Sequence, residues 1–427
     1  GVGQFLDRYR EATAQALEDG LLTEADIDAV LRDTYRVMIR LGQLDPPDAV
    51  PYRAIGRAGE PEPWTTEEHQ ALVRLVTRKS IALLKNDDGL LPLDAGALES
   101  IAVVGPRADQ VLLDWYSGDT LYAVTPLEGI RGRAGDGVAV RHASGADSAA
   151  AVALARAADV AVVVVGNHPT CDGAGWAECP LESWGREAVD RRSLQLEDEW
   201  LVRAVRRVNP RTVVVLAASF PYAITWTQQH VPAILHMAQN SQEMGTALAD
   251  VLFGDENPGA RLVHTWVRSL EELPPKLDYD IRHGSTYLYF DGDPLYPFGH
   301  GLSYTTFEYT DLRTGPGSVG PSDTLTVMVD VTNSGDRAGD EVVQLYVRHL
   351  RSAVQRPRKE LKGFHRITLG PGETRTVELA LPAAELAYWD ADTDRWVVEP
   401  GRVEIQVGAS SSDIRLERTI RVEPRAR

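Results

Sequence analysis

The stretch GREAVDRRSLQL (185–196) sets two carboxylic acids and a guanidinium, Glu187, Asp190 and Arg191, close together in the chain. Two kinds of chemistry fit this spacing. The charges could open a helix as an ion-paired start, with Asp190–Arg191 as its cap. Alternatively, Glu187 could stand over a pocket as a proton donor while Asp190 and Arg191 brace it. General acid–base catalysis needs a carboxyl within reach of the reacting oxygen, and an irregular segment can deliver one. The preceding residues favour binding or catalysis for the segment as a whole. NHPTCDGAGWAECPLESWGREAVDR (167–191) follows an apolar run and carries His168, Trp176, Glu178, Glu182 and Trp184 besides Glu187. Irregular runs this long inside compact domains are usually functional. The competing reading is that the tryptophans only pack the loop against a neighbour.

Other segments offer less. DWYSGD (114–119) is aromatic and polar, suited to stacking on a sugar and hydrogen-bonding its hydroxyls, and equally to a buried aromatic beside a turn. RHGSTYLYF (282–290) has one histidine and no ligand cluster, so it reads as an interface loop and not a metal site. Cys171 and Cys179 are too few for a structural zinc site, which usually takes four ligands. A local disulfide and two ordinary thiols both remain open. VVGPRADQ (103–110) has one glycine where a dinucleotide fingerprint needs three. No G-x-S-x-G elbow is present. No metal or cofactor is expected.

These groups need elements to position them. The chain has 427 residues, 43% of them hydrophobic and 25% charged, enough for two or three domains. A net charge of −18 argues against nucleic acid and anionic membrane as partners, because both select for basic patches. It leaves a neutral ligand such as a sugar open. No apolar run reaches the roughly 20 residues of a membrane span. The start of the chain reads as an amphipathic helix and not a signal peptide, so a cytoplasmic or secreted location stays open.

Residues 1–42 read as two helices, the second capped at TEAD by Thr23 and Asp26. A proline-rich connector (43–63) follows, and then a helix over about 66–86. From residue 100, IAVVG, VAVRHA, DVAVVVVG, TVVVLAAS and VPAILHM alternate with helical stretches at 147–158, 197–208 and 241–253. Near-continuous apolar strands between helices predict a parallel sheet covered on both faces. RLVHTW (261–266) could add an antiparallel edge strand. Past PFGHGLSYTTFEY (297–309) the period switches to two between Gly/Pro/Asn/Asp turns, which predicts an antiparallel β-sandwich of about seven strands.

RKSIALLKNDDGLLPL (78–93), IAVVGPRAD (101–109), ADVLFGDENPGARL (249–262) and YLYFDGDPLYPFGHGLSYTTFEY (287–309) resemble glycoside hydrolase family 3. RKELKGFHRITLGPGET (358–374) is similar to that family's fibronectin type III-like domain. The resemblance implies a retaining exo-β-glycosidase, in which a (β/α)8 barrel carries the nucleophile and the following domain carries the acid/base on a loop. It implies this fold: a mostly parallel six-strand α/β sandwich, then an antiparallel fibronectin type III-like β-sandwich, with N-terminal helices left over from a barrel. The corresponding domains are 1–42 (terminal barrel helices), 43–94 (linker and helix), 95–304 (acid/base domain) and 305–427 (β-sandwich).

By the same resemblance Glu187 of EAVDR is the acid/base. Tyr116 and Ser117 of WYSG lie on a loop that reaches the sugar, and His168 and Trp184 lie on the leaving-group side. Trp184 is expected to cover Glu187, with Asp190 and Arg191 as support. A retaining mechanism needs two carboxyl groups about 5–5.5 Å apart, and this chain offers one. The expected partners are therefore a neutral β-linked sugar, glucoside or xyloside, and a barrel domain on a missing segment or separate chain. Self-association is left open. The rival reading is a non-catalytic carbohydrate-binding or assembly subunit.

Overall fold

The structure is a computed structural model that describes residues 9–56, 59, 62–118, 120, 122–173, 178–238 and 241–424. Trp176, the neighbouring residues 174–177 and Asp119 therefore lie outside the described residues. The chain divides into two compact units, 1–69 and 70–427.

The first unit is helical. α1 (Tyr9–Glu18) precedes α2 (Glu24–Arg40), which starts at a capping box: Thr23 accepts from the Asp26 N–H and Asp26 answers the Thr23 N–H. No α2 side chain is buried, and Val30, Leu31, Tyr35, Val37, Ile39 and Leu41 at and near its end are exposed.

α3 (Glu67–Ser80) starts just before the boundary at residue 70, and the chain then turns at once into β1 (Ala82–Asn86) of the second unit. The single helix expected over 66–86 is thus a helix and a strand. The strand forms because Ala82–Asn86 finds an antiparallel partner in β6 (Ala233–Met237), a long-range pairing that local pattern does not carry. Between them in sequence come β2 (Ser100–Val104), α4 (Pro126–Ala134), β3 (Ala139–Ala143), α5 (Ser148–Arg156) and β4 (Val160–Val165). α6 (Glu199–Val208), β5 (Thr212–Ala217) and α7 (Thr225–His230) lead to β6, and α8 (Met244–Leu252) follows it.

The sheet order is β1-β6-β5-β4-β2-β3, with every pair parallel except β1–β6. Alternate side chains face opposite layers. Val103, Val162 and Val164 pack with Leu127, Ile130, Leu248 and Leu252 of α4 and α8. Val104, Val163 and Val165 pack with Ala151, Leu201 and Val205 of α5 and α6. All six residues of β4 are consequently buried. The expected edge strand at 261–266 does not form: Trp266 makes one isolated bridge with Tyr296, and the antiparallel edge is β1.

A short helix, α9 (Thr286–Tyr289), precedes the all-β part. There β11-β10-β15-β16-β8 form one sheet and β12-β9-β7 the other, with a separate hairpin, β13–β14. The strands are β7 (Phe307–Thr314), β8 (Ser318–Val319), β9 (Thr324–Asn333), β10 (Gly339–His349), β11 (Glu360–Leu369), β12 (Thr374–Pro382), β13 (Tyr388–Asp390), β14 (Arg395–Val397), β15 (Gly401–Gly408) and β16 (Ile414–Val422). In β9 every second residue is buried, as the period of two requires, and Val327, Val329 and Val331 meet Leu345 and Ile405 of the facing sheet. A polar network ties this sandwich to the α/β layer. Asp340 accepts from Lys79, Arg366 and Thr368, and Glu341 pairs with Arg261 and accepts from Tyr309.

Candidate active site

In an open parallel sheet, ligands bind beyond the carboxyl ends of the strands, where neighbouring crossovers diverge to opposite faces. Here that point lies between β2 and β4, which are adjacent although β3 intervenes in sequence. α4 follows β2 on one face, while the chain leaving β4 reaches α6 on the other. Both loops leave through glycines. Gly105 has φ +117° and a Cβ there would lie 2.3 Å from the Val164 carbonyl oxygen. Gly166 has φ +150° and a Cβ would lie 1.9 Å from the Ala217 oxygen. Any larger residue would push the two loops off the sheet.

The loop after β4 is held down at three places. Asn167 is fully buried and accepts from the Ser219 N–H with Oδ1, joining this loop to the one after β5. Cys171 and Cys179 form a disulfide, which resolves the alternatives the sequence leaves open. Arg191 donates to the carbonyls of Ser183 and Pro221, 2.7 and 2.6 Å away, and its guanidinium lies over the rings of Phe220 and Tyr222. Neither Asp190 nor Arg191 caps the next helix: the N-cap of α6 is Asp198, whose side chain makes no cap hydrogen bond. Asp190 instead pairs with Lys276 at 2.7 Å, both side chains being exposed.

Between these anchors the chain makes a tight turn. Arg186 and Val189 exchange backbone hydrogen bonds of 3.1 and 3.0 Å, leaving Glu187 and Ala188 at the tip. Ala188 sits at φ +65°, a left-handed conformation that non-glycine residues adopt at a cost. Of the seven described non-glycine residues at positive φ, Cys171, Asp172 and Ala188 belong to this one loop, which is where strain tied to function would collect. The turn presents Glu187 outward. Glu187 is exposed, so the cover expected from Trp184 is not there. Trp184 lies half-buried on a separate cavity of about 220 Å³ with Ala188, Val189 and Asp190.

The loop after β2 comes to meet this tip. Asp114 Oδ1 accepts from the N–H groups of Tyr116 and Ser117, both at 2.9 Å, and from the Ser117 hydroxyl at 3.0 Å. That turn points Tyr116 at Glu187: its hydroxyl donates to Oε2 at 2.5 Å. One residue earlier, Trp115 lies under the Arg186 guanidinium, 4.9 Å from carbon to ring centre. The structure thus brings Tyr116 and Glu187 together. Ser117 spends its hydroxyl inside its own turn, and His168 Nδ1 accepts from the Thr170 N–H in the same manner.

The other described acids of the loop face cations or hydroxyls. Asp190 has Lys276, and Glu178 and Glu182 lie 4.0 and 3.7 Å from Arg192. Asp172 lies 3.9 Å from His168. Glu197 accepts from the Ser183 hydroxyl at 2.8 Å. Glu187 meets the Tyr116 phenol through Oε2, and its Oε1 has no hydrogen-bond partner among the described residues. Burial and the charge of Arg107 hold His168 below the usual histidine range, so it is neutral near pH 7. Arg107, which sequence reasoning passed over, is buried beside Trp184 and faces Asp198. Burial raises the Asp198 carboxyl, with Arg107 opposing. The usable signal was position: Arg107 and Asn167 are polar residues set immediately past buried strands. Among the described residues, no group of three or more His, Cys, Asp or Glu could hold a metal.

Residues 81–304 match the glycosyl hydrolase family 3 C-terminal domain, and residues 341–411 match the fibronectin type III-like domain. A β-xylosidase of Formosa agariphila is 38% identical over 367 residues, 81% of this chain and 49% of its own length. Thermostable β-glucosidase B of Acetivibrio thermocellus is 34% identical over 401 residues, 87% of this chain and 51% of its own length. This chain spans about half the length of these curated relatives. A solved β-glucosidase from Erythrobacter marinus superimposes with a TM-score of 0.81 at 33% identity, covering 96% of this chain and 57% of its own. The chain belongs to glycosyl hydrolase family 3, and it carries that family's C-terminal α/β domain and a fibronectin type III-like domain.

Proposed function

We propose that this chain supplies the general acid/base, Glu187, of a retaining exo-β-glycosidase acting on terminal β-D-glucosides or β-D-xylosides. The nucleophile comes from a barrel domain on another segment or chain. The observation that carries this reading is the state of Glu187. It is an exposed carboxyl at the tip of a braced, strained turn, at the sheet's switch point, with a neutral partner on one oxygen and the other oxygen open. The relatives named β-xylosidase and β-glucosidase support the two sugars. The exposed apolar side chains of α2, such as Val37 and Ile39, support a further domain against which they could be buried.

In the first step the nucleophilic carboxylate attacks the anomeric carbon while Glu187 passes its proton to the departing oxygen, leaving a glycosyl-enzyme. In the second, Glu187 takes a proton from water as that water attacks the same carbon and displaces the nucleophilic carboxylate, and the acid form is restored. The test is Glu187→Gln in the protein complete with its barrel. Gln keeps the size and hydrogen bonding of Glu but delivers no proton. kcat/KM should fall about 10²–10⁴-fold for a disaccharide, whose leaving group needs the proton, and little for an activated aryl glycoside. An equal loss on both substrates would remove Glu187 from this role.

A further inference from the structure

We infer that Tyr116 is a positioning residue for Glu187: its hydroxyl fixes one carboxyl oxygen so that the other is presented to the leaving group. This rests on the acid/base reading above but assigns Tyr116 differently from the sequence resemblance, which gave it to the sugar. Three features support it. The Tyr116 hydroxyl donates to Glu187 Oε2 at 2.5 Å, leaving Oε1 open outward. The contact belongs to a two-point clasp, because consecutive residues of one loop meet consecutive residues of the other: Trp115 under Arg186, and Tyr116 on Glu187. The clasp is also built from behind, since the carboxylate of Asp114 fixes the backbone of Tyr116.

Physical chemistry gives the clasp a task. The terminal torsion of a glutamate is broad, and an exposed side chain samples many rotamers. A phenol has two side-chain torsions and a rigid ring, so anchoring it costs little entropy and narrows the carboxyl to one orientation. Tyr116 keeps its own proton throughout. It donates to the carbonyl oxygen when Glu187 is the acid and to the carboxylate when Glu187 is the base.

The experiment is a double-mutant cycle in the barrel-complete protein, with Tyr116→Phe, Glu187→Gln and the pair, each assayed on a disaccharide and on an activated aryl glycoside. Tyr116→Phe should lower kcat/KM on the disaccharide by about ten- to a hundredfold, the worth of a hydrogen bond to a charged group. The loss on the aryl substrate should be less than about twofold, and KM should barely move. In the Glu187→Gln background the second substitution should change the rate by less than about twofold, because the two residues act as a unit. A loss that appears in KM equally for both substrates would make Tyr116 a sugar contact. Full multiplicativity with Glu187→Gln would also overturn the inference. If Glu187→Gln itself shows no leaving-group dependence, the acid/base assignment fails, and the two failures are thereby told apart.

A second readout needs only this chain. The bond to Glu187 holds the Tyr116 phenol above the ordinary tyrosine range. In 13Cζ-tyrosine NMR that titration should return toward the ordinary range in Glu187→Gln. An unchanged titration would mean the contact does not exist in solution.

Discussion

The seam between the sandwich and the α/β layer and the loop after β4 are both dense in charge, yet they treat their carboxylates in opposite ways. In the seam, Asp340 is nearly fully buried and takes hydrogen bonds from Lys79, Arg366 and Thr368; Glu341 beside it takes Arg261 and Tyr309. Every acid there is spent on holding layers together, as a buried charge must be paired to be tolerated. In the loop, the buried Asn167 and the half-buried Arg191 do the holding, and Glu178, Glu182, Glu187 and Asp190 stand exposed. Glu187 is the extreme case, exposed and facing only a phenol. The difference separates structural from chemical use of one residue type: a carboxylate saturated by donors stabilises, while one left with an open oxygen can exchange a proton.

If that division is right, activity and stability should come apart. Glu187→Gln, expected under the proposed role to lower the rate on a sugar leaving group about 10²–10⁴-fold, should leave the denaturant midpoint of unfolding where it is. A fall in that midpoint would make Glu187 a structural residue and break the contrast.

Asp340→Ala should do the reverse. Removing one member of a buried ion cluster strands its partners, at about 3–5 kcal/mol when all are buried. Lys79 and Arg366 are each 34% exposed, so water recovers part of this and about 2–3 kcal/mol is expected. Chemical unfolding measures it. The pH dependence follows. Burial alone would raise the Asp340 carboxyl, but the hydrogen bonds from Lys79, Thr368 and Arg366 outweigh it and hold the group below the usual carboxylate range. A lowered folded-state value contributes stability above the unfolded value of about 4, and that stability is lost as pH falls through the folded value. The stability gap between the native chain and Asp340→Asn should therefore shrink on acidification below about pH 4.

Replacing both Cys171 and Cys179 by Ser should cost about 2.5 kcal/mol, less than the roughly 3 of a fifteen-residue loop, because the bridge closes a sequence separation of only 8. Thermal unfolding with and without reductant would read it. The smallest effect is expected at Asp190, whose pair with Lys276 is exposed on both sides. Asp190→Asn should change stability by less than about 1 kcal/mol and turnover by less than about tenfold. A larger loss of turnover would move Asp190 from brace to participant.

How far the sequence foretells this depends on which forces act locally. The unbroken valine run of β4 reads directly as a strand buried on both faces, and Thr23 with Asp26 reads as a helix start. β1 was unreadable because IALL continues the preceding helix without a break, and only the antiparallel partner β6 makes it a strand. The segment 261–266 does not alternate in burial: Leu262 and Trp266 are buried, but Val263 and His264 between them are both exposed. Its backbone is bonded only near the ends, by Leu262 to His300 and Gly299 and by Trp266 to Tyr296, so no ladder forms. Within the candidate site, the sequence singles out Glu187 and Tyr116 separately, each by its own motif. The contact between them, 71 residues apart, is not written in either motif, because it depends on β2 and β4 being neighbours in the sheet.

The central claim is that Glu187 is the proton donor and acceptor of the glycosidase. Its most direct test uses azide on Glu187→Gln in the barrel-complete protein with an activated aryl β-glycoside. Without the base, hydrolysis of the glycosyl-enzyme should stall and the intermediate accumulate. Azide, a nucleophile that needs no base, should then restore turnover and yield the β-glycosyl azide. Rescue at Glu187→Gln, with none at Glu178→Gln, Glu182→Gln or Asp190→Asn, is the predicted result. Rescue at Glu178→Gln or Glu182→Gln and not at Glu187→Gln would place the acid/base elsewhere on this loop and contradict the account.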